Sequence, residues 1–216
     1  MPRPIDEFWN SLQAHAASYG VDLSDQALEK LGCYYELLLK WNDRLHLVAP
    51  CSPDKFATRH VLESLMLMPH LSMNARVADI GSGAGLPIIP CLLAREDISA
   101  ALFEASVRKA VFLREALRAA DGQKRSEVIA GKFQDVPTPD VNFVTCRALD
   151  RFSRWLPALI EWSPPASVLL LFAGKEILKQ VERVFSFLSV EKIPKSEGRF
   201  LIVARRDCTP AGTKTR

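Results

Sequence analysis

The segment RVADI, Arg76 to Ile80, runs straight into GSGAGLP, and this junction limits the possible folds more than any other stretch of the chain. A short apolar run suits a strand end, whereas glycine at Gly81, Gly83 and Gly85 lets the backbone turn sharply and keeps side chains away from a ligand. The same alternation continues downstream. SAALFE, SEVIAG, VNFVTCR, SVLLLF and RFLIVA read as strands, and GLPIIPCLLAR, SVRKAVFLREALRAAD, RFSRWLPALIEW and GKEILKQVERVFSFL as the helices between them. Such a series predicts an α/β fold with a mostly parallel, doubly wound sheet and helices on both faces. SVEKIP and GRFLIVARR have no helix between them and predict an antiparallel hairpin at a sheet edge.

Before Arg76 the pattern is helical. DEFWNSLQAHAASYG closes at Gly20, SDQALEKLGCYYELLLKWNDRLHL repeats apolar residues at three and four, and SPDKFATRHVLESLMLMPHL opens with Ser52 as a cap and Pro53 in the first turn. The expected organisation is an N-terminal helical extension over residues 1–72, an α/β core over 73–206 and a flexible basic tail over 207–216. With 216 residues, 48% apolar and 25% charged, the chain has material for a sizeable core and is not of disordered composition. No apolar run approaches the ~18 residues needed to cross a bilayer. MPRPIDEFWN lacks the apolar centre of a signal peptide, so a cytoplasmic location is expected. The five cysteines, Cys33, Cys51, Cys91, Cys146 and Cys208, show no metal-ligand spacing and read as mostly buried thiols, with no metal implied.

A glycine-rich turn of this kind serves both dinucleotide and nucleoside-sulfonium ligands. A dinucleotide site wants a helix N-terminus facing a pyrophosphate, and an acid close to the loop would repel it. Here Asp79 precedes the first glycine and Leu86 stands where the dinucleotide spacing asks for another. S-adenosylmethionine carries an ammonium and a sulfonium and no phosphate, so the loop suits that molecule better. Glu104, ending SAALFE nineteen positions after Gly85, is placed to accept the hydroxyls of an adenosine ribose.

DIGSGAGLPIIP with LFEASVRKAVFLRE resembles the donor loop and second-strand segment of the RsmG (GidB, glucose-inhibited division protein B) family of bacterial ribosomal RNA methyltransferases. LLLKWNDRLHL, RHVLESL, VTCRALDRF and FAGK are similar to that family's further motifs in the same order, so that the resemblance spans Tyr34 to Arg205. It implies a Rossmann-like class I S-adenosylmethionine-dependent methyltransferase with an N-terminal helical extension, acting on N7 of a guanine in 16S ribosomal RNA, free or within the small ribosomal subunit or its assembly intermediate. A monomer is the favoured state, with no membrane and no metal. By position, Asp79, Gly81, Ser82, Gly83, Gly85 and Leu86 would hold the methionine side, Glu104 the ribose, and Phe133 and Gln134 the adenine. Arg147 would sit beside donor and target, with His60 as its catalytic companion, and Arg59, Arg108, Lys109, Lys175 and Arg199 would face the RNA. The family often has Asn-Leu-Thr at His46-Leu47-Val48 and Asp-Ser at Glu104-Ala105.

Some roles stay open at this level. Arg147 fits a donor carboxylate, guanine O6, a phosphate or a purely structural ion pair, and His60 fits either the site or a buried hydrogen-bonding position. Trp9, Trp41, Trp155 and Trp162 fall in helical periodicity and read as core. A small-molecule or protein methyltransferase, and an assembly factor without transfer activity, are the competing readings. The cations Arg108, Lys109, Arg114, Arg118, Lys192, Lys195, Arg199 and Arg205 favour an RNA partner. Guanine N7 bears an exposed lone pair and no proton, so its methylation needs alignment and no general base.

Overall fold

The computed structural model describes residues 3–119, 122–147 and 152–206. The expected tail with Cys208, and residues 148–151 of the VTCRALDRF motif, lie outside them. Strands β1 (Arg76–Ile80), β2 (Ser99–Glu104), β3 (Ser126–Ala130), β4 (Phe143–Arg147), β5 (Val168–Gly174), β6 (Phe187–Lys192) and β7 (Arg199–Arg205) form one seven-stranded sheet in the order β3-β2-β1-β4-β5-β7-β6. The first five run parallel to one another, and β7 lies antiparallel between β5 and β6. The closing hairpin therefore sits at an edge as expected, but its second strand is the inner one.

Side chains alternate across the sheet with period two. Val77, Ala100 and Leu102 enter a core with α1 (Pro4–His15), α2 (Asp25–Leu45), α5 (Ile88–Ala94) and α6 (Val107–Ala119). Ala78, Ile80, Ala101 and Phe103 face the opposite core with α7 (Phe152–Trp162) and α8 (Lys175–Glu182). The N-terminal helices share one continuous apolar cluster with the sheet, from Phe8 and Leu38 to Leu170 and Leu201. The helix over GKEILKQVERVFSFL is shorter than its periodicity predicts. It ends at Glu182, Phe185 turns into the core, and Phe187 opens β6 because the free edge of β7 offers a hydrogen-bonding partner to a β-prone run.

Ser52 caps the third helical segment as its sequence predicts, accepting from the Lys55 amide at 3.2 Å. This segment is not uniform. α3 (Pro53–Phe56) widens into a π turn over Ala57–Leu62 before α4 (Glu63–Leu65). Such wide turns free carbonyls from the regular helical ladder. Of the thiols, Cys91 and Cys146 are buried, Cys51 is partly so and Cys33 is exposed. Among the described residues no helix is long and apolar enough to cross a membrane, and no group of three or more His, Cys, Asp or Glu could hold a metal ion.

Gly32 lies inside α2, where glycine ordinarily costs about 1 kcal/mol relative to alanine. The Trp9 ring explains it: a Cβ at Gly32 would come within 2.6 Å of Trp9 Nε1, which donates to the Leu28 carbonyl at 3.1 Å. Gly32→Ala is expected to lower stability by about 1–3 kcal/mol instead of raising it. Urea unfolding of the two proteins checks the sign.

Candidate active site

The carboxyl ends of β1, β2, β4 and β5 open into a cavity of about 680 Å³ at the point where strand order reverses on either side of β1. Gly81, Ser82, Gly83, Leu86 and Glu104 line it on one side, and Arg59, His60, Arg147 and Arg199 on the other, with Lys109, Leu47 and Val48 between. A smaller recess of about 190 Å³ adjoins it, sharing Gly81 and Ala105, and is walled by Phe133, Gln134 and Trp155. Trp155 thus belongs to a cavity wall, not to the core where its periodicity put it. Asp79 and Gly85 stand behind the lining, Arg108 is exposed beside it with Nη2 on the Arg44 carbonyl, and Lys175 is exposed just beyond Gly174.

The three glycines adopt positive φ, 71° at Gly81, 53° at Gly83 and 84° at Gly85, a region that favours glycine, and a Cβ at Gly85 would also collide with the Ile89 side chain. The amides of these glycines and of Ser82 are engaged within the protein. Gly81 and Ser82 donate to the Phe103 carbonyl at 2.9 and 3.0 Å, Gly83 to Glu104 Oε2 at 2.8 Å, and Gly85 to the Ser82 carbonyl at 2.6 Å. These donors are unavailable to a pyrophosphate. Glu104 is oriented by the same contacts, since its other oxygen accepts from the Ser106 amide at 2.7 Å.

Below the loop Asp79 is fully buried, and both of its carboxylate oxygens lack a hydrogen-bond partner. Burial pushes its pKa up to about 7. An orphaned acid under the loop leaves an unmet demand for positive charge, which an ammonium or sulfonium would meet and a phosphate would worsen. Sequence reasoning missed what secures the loop from the other side. Tyr34 of α2, buried, donates its hydroxyl to the Ala84 carbonyl at 2.6 Å, and burial drives that hydroxyl's pKa far above the ordinary value. Asn42 of the same helix clamps Val48, accepting from its amide at 2.9 Å and donating to its carbonyl at 3.1 Å, and so fixes the Leu47–Val48 wall. His46 takes the left-handed C-cap of α2 at φ 48°, a conformation better suited to the asparagine that the resembling family often has there.

Arg147, with only 9% of its side chain exposed, commits both terminal nitrogens to the π turn and α4. Nη1 donates to the His60 carbonyl at 3.2 Å and Ser64 Oγ at 3.1 Å, and Nη2 to the Arg59 carbonyl at 2.7 Å, with His60 Nδ1 at 3.2 Å and Glu63 Oε1 at 3.4 Å. The freed carbonyls of the wide turn are thereby satisfied. Phe172 packs 5.7 Å beneath the guanidinium. Burial lowers the arginine's pKa and Glu63 opposes the shift. Arginine has no acceptor, so His60 Nδ1 accepts and Nε2 carries the ring proton. Burial and the nearby Arg147 and Arg59 push the His60 pKa down to about 3, which keeps the ring neutral at physiological pH.

The family described as rRNA small subunit methyltransferase G (GidB) matches residues 27–204. The chain belongs to that family. Among proteins of that name, one from Sorangium cellulosum is 36% identical over 166 residues, covering 74% of this chain and 69% of its own length. Another, from Neisseria meningitidis serogroup A, is 34% identical over 153 residues, covering 69% and 73%. In fold, this methyltransferase G chain is similar to an O-methyltransferase from Bacillus cereus in complex with SAH, with a TM-score of 0.58 at 16% identity over 81% of this chain and 90% of that one. A SAM-dependent methyltransferase from Aquifex aeolicus gives a TM-score of 0.57 at 16% identity over 78% and 96%.

Asp79 and His60 give this methyltransferase G family member two opposed pH dependences. Asp79, raised from 3.8 to about 7, keeps its proton in the folded state only, so its stabilisation is whole below pH 3.8 and is lost as pH rises to about 7. His60, lowered from 6.5 to about 3, is protonated first in the unfolded chain, so its stabilisation is whole above pH 6.5 and is lost as pH falls toward 3. Each slope is at most about 1.4 kcal/mol per pH unit, and in the shared window they offset one another. Relative to the parent, Asp79→Asn is expected to lose stability on acidification and His60→Gln on alkalinisation, read as shifts of the urea midpoint from about pH 4 to 7.

Proposed function

We propose that the chain transfers a methyl group from S-adenosylmethionine to N7 of a guanine in 16S ribosomal RNA, in the cytoplasm, acting on the small subunit or its assembly intermediate. The observation that carries the donor assignment is the pairing of a turn whose three glycine amides are already engaged with a buried Asp79 beneath it whose carboxylate oxygens lack a hydrogen-bond partner. That combination accepts a cation and refuses a pyrophosphate. In this reading Gly81, Ser82 and Gly83 border the methionine end, with Asp79 supplying the field from behind. Glu104 takes the ribose hydroxyls, and the recess of Phe133, Gln134 and Trp155 takes the adenine.

Bound S-adenosylmethionine supplies an electrophilic methyl carbon on a sulfonium, which the N7 lone pair displaces in one step. Nothing has to remove a proton, in keeping with a neutral His60 bound to Arg147. His60 borders the cavity as a donor through Nε2, while Arg147 acts as a positioning residue that holds the wall on which Arg59 and His60 stand. The purine becomes positive as it is methylated, so the carboxylates of Glu104 and Glu63 at the cavity offset the surrounding arginines. Arg59, Lys109 and Arg199 at the rim, with Arg108 and Lys175 outside it, offer cations to the RNA backbone. The family relationship points to ribosomal RNA, and these cations fit that partner better than a small molecule or a protein side chain.

Labelled S-adenosylmethionine supplied with small subunits from cells lacking the protein is expected to yield 7-methylguanosine at one position in 16S RNA, identified by mass spectrometry. Label in protein or in no macromolecule would replace the RNA assignment. Glu104→Ala is expected to weaken donor binding by about 1–3 kcal/mol in calorimetry, the range for a lost hydrogen bond to a charged group. An unchanged affinity would remove Glu104 from the ribose.

A further inference from the structure

The cavity contains one acid that the reading above leaves without a specific task. Glu63, at the junction of the π turn and α4, is 1% exposed and borders the cavity, yet its Oε2 has no hydrogen-bond partner. Its Oε1 accepts from Arg199 Nη1 at 2.7 Å and lies 3.4 Å from Arg147 Nη2. The two arginines differ. Arg147 is held on several sides and 9% exposed, whereas Arg199 is 34% exposed at the rim, with Ser196 Oγ at 3.0 Å as its further side-chain partner among the described residues. Arg199 therefore covers the carboxylate from the solvent side and is the member of the trio free to exchange it for a phosphate.

We propose that Glu63 reads the Watson–Crick edge of the target guanine once an RNA phosphate draws Arg199 aside. This rests on the N7 reading of the same site. A carboxylate with a free oxygen matches guanine, whose N1–H and 2-amino group are adjacent donors, and mismatches adenine, which presents an acceptor at N1. The placement also suits the chemistry. N7 lies on the neighbouring major-groove edge of the purine, so Glu63 can hold the Watson–Crick edge while the N7 lone pair stays free within the cavity that Gly81, Ser82 and Gly83 also line. Exchange of one ion pair for another keeps the number of buried charges balanced, since Arg147 remains on Glu63 when Arg199 leaves.

The test changes the RNA first. Inosine keeps N7, O6 and N1–H and lacks only the 2-amino group. Small subunits reconstituted with inosine at the methylated position are expected to be methylated about 10–100-fold more slowly than those with guanosine, the effect of one lost charge-assisted hydrogen bond. Equal rates would overturn the proposal without any protein variant. Glu63→Gln should then bring guanosine and inosine substrates to within about threefold of each other, with donor affinity by calorimetry unchanged. Retention of the parental ratio would assign the 2-amino group to another residue and also overturn it. If Glu63→Gln loses donor affinity, Glu63→Asp keeps the charge between the two arginines while withdrawing it by one methylene, and the same narrowing of the ratio is expected. No transfer to guanosine-containing subunits by the parent protein would remove the N7 reading itself, and this proposal with it.

Discussion

The guanidinium of Arg147 joins parts of the chain that are far apart in sequence. It leaves the carboxyl end of β4 and is bound by carbonyls, a hydroxyl and a carboxylate from residues 59 to 64. A wide helical turn with free carbonyls would be costly beneath other structure, and a buried cation without partners would be costlier. Each makes the other tolerable. The N-terminal helical segment is consequently part of the cavity, because the wall carrying Arg59, His60 and Glu63 is set by a strand residue more than eighty positions away.

The donor side has a similar logic on a smaller scale. Positive φ at alternate residues makes the turn, but glycine freedom also allows it to collapse in other ways. Tyr34 from outside and Glu104 from the next strand hold it in one arrangement, and Phe103 occupies the amides that would otherwise seek a ligand. The loop is thus a rigid rim and not an anion cradle. In the proposed reading, selectivity for a cationic donor comes from Asp79 below it.

The elements legible in the sequence are those whose cause is local. RVADI and SAALFE match β1 and β2 residue for residue, since an apolar run bounded by glycine or a cap has little alternative. Glu104 was placed at the cavity because a carboxylate that ends the strand after a glycine turn comes to lie beside that turn. Arg147 was singled out, but its partners were not, because nothing near VTCR names a carbonyl in RHVLESL. Tyr34 and Trp155 fall within apolar helical stripes where a core position and a cavity position have the same periodicity. The helix over residues 174–188 ran too long for the opposite reason: its last residues suit either state, and a strand edge formed later in the chain decides between them.

The position of β7 determines when the site exists during synthesis. β1, β2 and their glycine turn are made first of the sheet, and in the proposed reading every residue on the methyl-donor side precedes β5. Arg199, which covers Glu63, opens β7 and pairs opposite Gly174 at the cavity mouth. In the same reading, a nascent chain that stops short of this strand has a donor side with no finished substrate side. In the proposed reading, completion of the RNA-facing wall therefore waits for β7, which follows every donor-side element in the chain, and the particle that makes the protein is also the kind of particle that it modifies.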